Sequence, residues 1–147
     1  MHSPSLRAVV PGVHNGAMST TSAPNVYQPG VCNIGPAEIR QRRRSGWIGA
    51  VATVVLVAVL LLVQVPAPWR LFAFLPAALA ASGFLQAGLH FCANFGMRGL
   101  FNVTTGMGEQ ESVMEADFRK ADQRKAVQII VGSVVIGAVV AVIALFI

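Results

Sequence analysis

The apolar stretch Trp47–Val65, WIGAVATVVLVAVLLLVQV, decides the fold, and the basic stretch Arg40–Arg44, RQRRR, lies just before it. Apart from Trp47, only Thr53 and Gln64 in this stretch carry polar side chains. A helix of this length, at 1.5 Å per residue, matches the ~30 Å hydrocarbon core of a bilayer. Because each unpaired backbone group in lipid costs several kcal/mol, we expect the stretch to be a transmembrane helix.

The composition agrees with a membrane protein. Hydrophobic residues make up 54% of the 147 residues and charged residues 12%, about half of the ~25% that is usual in soluble domains. The net charge is +5, but the basic residues border apolar stretches and do not share a face with aromatic residues. The pattern therefore disfavours nucleic-acid binding and favours a lipid environment.

Two more stretches are long and apolar enough to cross a bilayer. Pro66 and Pro68 end the first span, and a second runs over about 71–95. Ser112 and Glu115 fit a capping box, so a charged helix from about 112 should continue into a third span over 126–147. We therefore predict an all-α membrane protein with three transmembrane helices, over about 47–65, 71–95 and 126–147.

The positions of the charges predict how the chain threads the membrane. Of the 11 Lys and Arg residues, only Arg70 lies between the first two spans. The positive-inside rule then makes the N-terminus and the 96–125 connector cytoplasmic and Ile147 external. Five residues are expected to fix the topology or contact lipid: Arg40, Arg42, Arg43, Arg44 and, at the far interface, Trp69.

Three regions follow from these patterns. Residues 1–35 are rich in Ser, Thr, Pro, Gly and Asn and are predicted to be disordered, and Met18 is an alternative translation start. Residues 36–100 hold a basic helix and a transmembrane hairpin. Residues 101–147 hold a connector, a charged helix and the third span. The acidic residues of 109–122 are expected on a solvated helix face. Three ion pairs at helical spacing are expected there: Glu115–Arg119, Asp117–Lys120 and Asp122–Lys125.

Small residues recur every four positions in the second and third spans. Such spacing lets another helix approach closely. The residues that we expect to pack against a helix are Ala77, Ala81, Ser133, Gly137 and Ala141.

The most reactive side chains lie near the end of the second span. His90, Cys92 and Met97 are soft-metal ligands, but His90 and Cys92 are about 200° apart on a helix and do not converge, so they are weak metal candidates. His90 is more simply a buried or interfacial histidine bonded to a neighbouring helix, with Gln86, one turn earlier, as a candidate partner. Both remain candidates for contact with a solute, because polar groups within a membrane are often functional. Cys32 and Cys92 are expected to be free thiols.

The stretch Asn33–Arg40, NIGPAEIR, followed by Gly46 and an apolar span, is similar to the opening of a family of small bacterial inner-membrane proteins. Membrane-bound rhodaneses carry this helical hairpin as their membrane domain. Residues 83–96 also resemble the family's Gly-Phe-Cys-Pro ending, although Ala93 replaces the proline. The resemblance covers about residues 32–100 and implies a self-associating membrane hairpin in the bacterial inner membrane. It implies no sulfur transfer, since no rhodanese domain is present.

The sequence thus predicts a non-enzymatic integral membrane protein without catalytic residues or a cofactor. Its expected partners are the lipid bilayer and other membrane helices, either as a homo-oligomer or as an accessory subunit of a larger complex. The alternative is a small transporter or channel component that uses Gln86, His90 and Cys92. A third reading is a thiol or metal handler acting through Cys32 and Cys92.

Overall fold

The computed structural model describes residues 26–104, 106–108 and 110–147. The predicted disorder of residues 1–25 and the choice between Met1 and Met18 lie outside these ranges. Within the described ranges, three helices are long and apolar enough to cross a membrane, with mean hydropathies of 2.4, 1.5 and 3.0 in chain order: Pro36–Leu62, Ala67–Gly88 and Ala116–Phe146. The fold is therefore compatible with a multi-pass membrane protein.

The first helix, α1, runs without a break from Pro36 to Leu62 and joins the basic and the apolar stretches. Pro36 occupies its first turn, where a missing N–H does little harm, and Glu38 lies near the positive end of the helix dipole. The helix ends before Gln64, whose φ of 55° is left-handed.

The second span, Ala67–Gly88, is shorter than the predicted 71–95, and it both begins and ends earlier in the chain. A 3-10 helix over Ala67–Ala73 leads into α2, Phe74–Gly88. The chain then turns at His90, which has a φ of 53°, and a short α3 follows over Ala93–Arg98. The expected continuous helix to residue 95 is wrong because the Phe91 N–H bonds back to the Gln86 carbonyl, 3.0 Å away, and closes the helix.

The connector is partly ordered. Two short antiparallel strands, β1 (Leu100–Phe101) and β2 (Glu111–Ser112), pair with each other. Ile34 forms a parallel bridge with Asn102. Residues 26–35 were assigned to the disordered tail, but they are ordered here, and Ile34 is fully buried.

The third span belongs to α4, Ala116–Phe146. The predicted capping box is wrong, because Ser112 lies in β2 and Glu115 occupies the N-cap position without a side-chain capping bond. Of the three expected ion pairs, the structure forms one, Lys120–Asp117, at 3.5 Å between exposed side chains.

Helix α2 lies between the other two long helices and packs against both, whereas α1 and α4 make almost no direct contact. Glycines permit the close crossing of α1 and α2. A Cβ added to Gly83 would lie 2.5 Å from the Gly46 nitrogen, and one added to Gly49 would lie 2.7 Å from the Ala80 nitrogen. A Cβ added to Gly137 of α4 would lie 2.8 Å from the Ala78 Cβ.

This crossing predicts unequal effects for two glycines of α2. Gly83→Ala should destabilise the protein by about 1 to 3 kcal/mol, because its methyl group has backbone on the opposite side that cannot yield. Gly88→Ala is the matched control, since nothing lies within 4 Å of a Cβ there. Denaturation by sodium dodecyl sulfate in mixed micelles measures the difference in unfolding free energy. Equal stabilities of the two variants would contradict the close crossing.

Candidate functional site

Polar side chains collect at one end of the three-helix arrangement, where α1 and α4 begin and α2 ends. We call this the charged end, and we call the side chains the polar cluster. Five of the six are at most 7% exposed, and Arg42 is half-buried. The members are Asn33, Glu38, Arg42, Gln86, Cys92 and Asn102. A buried polar group is costly unless it is hydrogen-bonded, so the partners of each decide what the cluster does.

Asn33 joins the segment before α1 to the turn after α2. Its side-chain Oδ1 accepts from the Cys92 N–H at 2.7 Å, and its Nδ2 donates to the Cys92 carbonyl at 3.2 Å. The Asn33 backbone also donates to the His90 carbonyl at 3.2 Å and accepts from the Asn102 N–H at 2.9 Å. The oxygen and nitrogen of the Asn33 side-chain amide thus bond to the backbone N–H and carbonyl of Cys92, as the backbone of a neighbouring β-strand would.

Asn102 joins the connector to α1. Its Nδ2 donates to Glu38 Oε1 at 2.9 Å, and its Oδ1 accepts from the N–H and hydroxyl of Thr104 at 3.1 and 2.8 Å. The other carboxylate oxygen, Glu38 Oε2, is buried and has no hydrogen-bond partner in the described part of the chain.

Cys92 lies against Arg42. The Arg42 Nη2 donates to the Cys92 Sγ at 3.1 Å, and Cys92 is fully buried. A reagent therefore reaches this sulfur only after local opening of the fold. Both cysteines are free thiols, as expected. Burial raises the pKa of the half-buried Cys32 thiol above its usual value.

The structure separates Gln86 from His90. The Gln86 Nε2 donates to Ser82 Oγ at 2.7 Å and its Oε1 accepts from the Ala93 N–H at 3.3 Å, so the amide ties α2 to α3. The His90 side chain is exposed. The expected bond between these two residues is therefore wrong, because the chain turns at His90 and ends the helical spacing.

The weak metal candidates do not meet. His90 and Met97 are exposed, whereas Cys92 is buried behind Arg42. Within the described ranges, no three His, Cys, Asp or Glu side chains come close enough together to hold a metal ion.

The four arginines of α1 divide into two groups. Arg40, Arg43 and Arg44 are exposed, whereas Arg42 turns inward to Cys92. Trp69, at the opposite end, is 56% exposed and stacks on Phe72, with ring centroids 5.7 Å apart.

Sequence reasoning missed a second connection, which is made by Asp122. This residue is fully buried and accepts hydrogen bonds from the Tyr27 hydroxyl at 2.9 Å and the Gly30 N–H at 2.7 Å. Burial and the nearby carboxylate raise the pKa of Tyr27, which keeps its hydroxyl protonated as a donor. The expectation of a solvated face is wrong for Asp122. The missed signal is its spacing to Ala126 and Ile129, four and seven residues on, which are also buried.

The small residues expected to pack against a helix do so inside the chain. Gly137 faces Ala78 of α2. Ala77, Ala81, Ser133 and Ala141 are buried as well, and the Ser133 hydroxyl bonds to the Ile129 carbonyl of its own helix at 2.7 Å.

Two of the open grooves in the described part of the chain lie beside α1. The α1–α4 groove comprises two cavities of about 480 and 360 Å3 that share Thr53, Val54 and Val140, and α2 forms the floor of the larger one. The α1–α2 groove lies between those two helices, with a cavity of about 430 Å3. Its lining residues are Arg42, Ser45, Ile48, Gly49, Ala52, Pro76, Leu79, Ser82, Gly83 and Gln86.

Comparison of the chain with models of known protein families, with curated protein sequences and with solved structures finds no match. The polar cluster and the two grooves are therefore the features from which its function can be argued.

The hydrogen bonds of Asn33 predict a large effect of its removal. Asn33→Ala leaves the buried N–H of Cys92 without a partner, whereas the Cys92 carbonyl keeps the Gly96 N–H, so the loss should cost about 1 to 3 kcal/mol. Opening of the turn should also raise the rate at which maleimide modifies Cys92, as measured by peptide mass spectrometry. Asn94→Ala, at an exposed position, is the control and should change neither quantity. An unchanged Cys92 labelling rate in Asn33→Ala would contradict this role.

Proposed function

We propose that this chain is a non-enzymatic integral membrane protein that works by packing against other transmembrane helices. It does so as a homo-oligomer or as an accessory subunit of a larger membrane complex. The observation that carries the proposal is the α1–α4 groove. The apolar helices α1 and α4 do not close against each other there, and the groove exposes part of α2 between them.

The lining of the α1–α4 groove suits a helix. It is apolar along its whole length, and alanines contribute much of its surface, which lets a helix backbone approach closely. The Thr53 hydroxyl bonds to the Gly49 carbonyl of its own helix at 2.8 Å, so it requires no polar partner. From Ala50 to Leu61 the groove extends for about 16 Å, which corresponds to three turns of a docked helix.

The alternative, a transporter or channel component, has less support. It requires the side chains of Gln86, His90 and Cys92 to line one solute pathway. Gln86 is engaged with Ser82 and Ala93, His90 points to the surface, and Cys92 is covered. A packing function does not need these residues to meet.

We also propose that the charged end lies in the cytoplasm and Ile147 outside, in the inner membrane of a bacterium. Arg40, Arg43, Arg44 and the basic residues at the start of α4 border the inner ends of the spans, and Arg70 alone lies in the hairpin at the opposite end. The bacterial location rests on the family resemblance of residues 32–100.

Reporter fusions test the orientation. Alkaline phosphatase, which is active only outside the cytoplasm, should be active when fused after Ile147 and inactive when inserted into the full chain at Gly106. A green fluorescent protein that matures only in the cytoplasm should give the opposite pattern. Phosphatase activity at Gly106 with none at Ile147 would overturn the orientation and leave the helix packing untouched.

A bulky residue in the α1–α4 groove tests the packing. Val54→Trp should displace a docked helix and reduce the bound state at least tenfold, as measured by native mass spectrometry of the protein extracted from membranes in mild detergent. Val55→Trp is the matched control, because Val55 is similarly exposed but does not line either groove. It should leave the assembly intact. A strict monomer without a bound partner, or an assembly that Val54→Trp does not change, would refute the proposal.

A further inference from the structure

We propose that the α1–α2 groove is a specific site for one anionic glycerophospholipid, with the headgroup at Arg42 and an acyl chain along the apolar part of the groove. The proposal rests on insertion of the chain into a membrane, and it does not depend on a helix docking in the α1–α4 groove.

Polarity changes along the α1–α2 groove in the same direction on both walls. On α1 the lining passes from Arg42 and Ser45 to Ile48 and Ala52. Helix α2 runs the opposite way, so Gln86 and Ser82 lie beside the polar half and Leu79 and Pro76 beside the apolar half. The groove is therefore amphipathic end to end, unlike the α1–α4 groove. A transmembrane helix would gain nothing from the polar half, whereas a lipid matches both halves.

The depth of the groove agrees with the position of a lipid. Arg42 lies five residues before Trp47, where the apolar stretch begins, and Ala52 lies five residues after it. At 1.5 Å per residue, the polar end is about 8 Å on the headgroup side of that boundary and the apolar end about 8 Å on the hydrocarbon side. A phospholipid lying in the groove thus has its phosphate beside Arg42 and its upper acyl chain beside Ala52.

The charge of the polar end favours an anion. Among the described residues, no carboxylate lies within 4.0 Å of Arg42 in a salt bridge, and its buried Nε has no hydrogen-bond partner. Only Nη2 is engaged, and its acceptor is the weakly accepting Cys92 sulfur. Glu38, one turn before Arg42, bonds through Oε1 to Asn102 and acts on Arg42 only as a nearby charge. The guanidinium therefore keeps donors for phosphate oxygens, which suit its planar fork.

Ser82 supplies a second donor. Its Oγ accepts from Gln86 Nε2 at 2.7 Å, so the hydroxyl proton remains to be donated. The exposed Arg43 and Arg44 add positive potential around the opening and favour a lipid of net negative charge.

The test is a lipid titration of the full-length protein in mild detergent, followed by native mass spectrometry, with phosphatidylglycerol and phosphatidylcholine of identical chains. The first phosphatidylglycerol should bind about tenfold more tightly than the first phosphatidylcholine, in a stoichiometry of one per chain. Inorganic phosphate at millimolar concentration should not compete, because it lacks the acyl chain; if it displaces the lipid, the site binds free anions and the proposal fails.

Variants at both ends of the groove locate the site. Arg42→Gln should weaken phosphatidylglycerol binding about tenfold, whereas Arg44→Gln, which removes the same charge from the same helix outside the groove, should change it less than twofold. Ala52→Phe, which leaves the polar cluster intact, should weaken both lipids about tenfold, and its neighbour Val51→Phe, outside the groove, should weaken neither.

Besides displacement by phosphate, three outcomes would overturn the proposal. Equal binding of the two lipids would remove the anion selectivity, and equal losses in Arg42→Gln and Arg44→Gln would indicate diffuse attraction to the basic helix. Normal binding in Ala52→Phe would place the lipid elsewhere. If the protein instead stays in solution without detergent, membrane insertion itself fails, and that result is seen before any lipid is added.

Discussion

The pairing of one asparagine side chain with one backbone unit holds the charged end together. Asn33 and Cys92 are both fully buried, and their two hydrogen bonds of 2.7 and 3.2 Å connect the segment before α1 to the turn after α2. Buried hydrogen bonds are strong and costly to break, so this pair fixes where α2 stops and where α3 begins. Arg42 and Gln86 take their positions around it.

That arrangement leaves the membrane part with a simple architecture. One central helix, α2, carries the packing of two outer helices, and glycines and alanines bring the backbones close enough for dispersion forces to act. The small residue Gly137 is used inside the chain, whereas Ala77 and Ala81 also line the α1–α4 groove. Two of the surfaces left for partners are the grooves beside α2, one apolar and one amphipathic.

Much of the membrane part was predictable from the sequence, because hydrophobicity and length determine which segments can cross a bilayer. The start of α1 at Pro36 and the free thiols were also predicted. The end of α2 was not, because two hydrogen bonds that hydrophobicity does not reveal end the helix: the Phe91 N–H donates to the Gln86 carbonyl, and the Cys92 N–H donates to the distant Asn33 Oδ1. Asp122 was misjudged for the same reason, because its partners Tyr27 and Gly30 lie some 90 residues away in the chain. The stretch Asn33–Arg40, on which the expected resemblance rests, contributes Asn33 and Glu38 to the polar cluster. Their placement gives that short motif a physical role that spacing alone did not reveal.

The unbroken length of α1 and α4 has a mechanical consequence. With 27 and 31 residues they extend for about 40 and 46 Å, well beyond the ~30 Å that lipid tails cover. Each is thus a stiff rod, with Glu38 near the protruding end of one and Asp122 in the protruding part of the other. Thinner membranes accommodate long helices by making them lean. In the membrane position that we propose, a change in bilayer thickness would therefore shift the protruding ends sideways and strain the hydrogen bonds of Glu38 and Asp122.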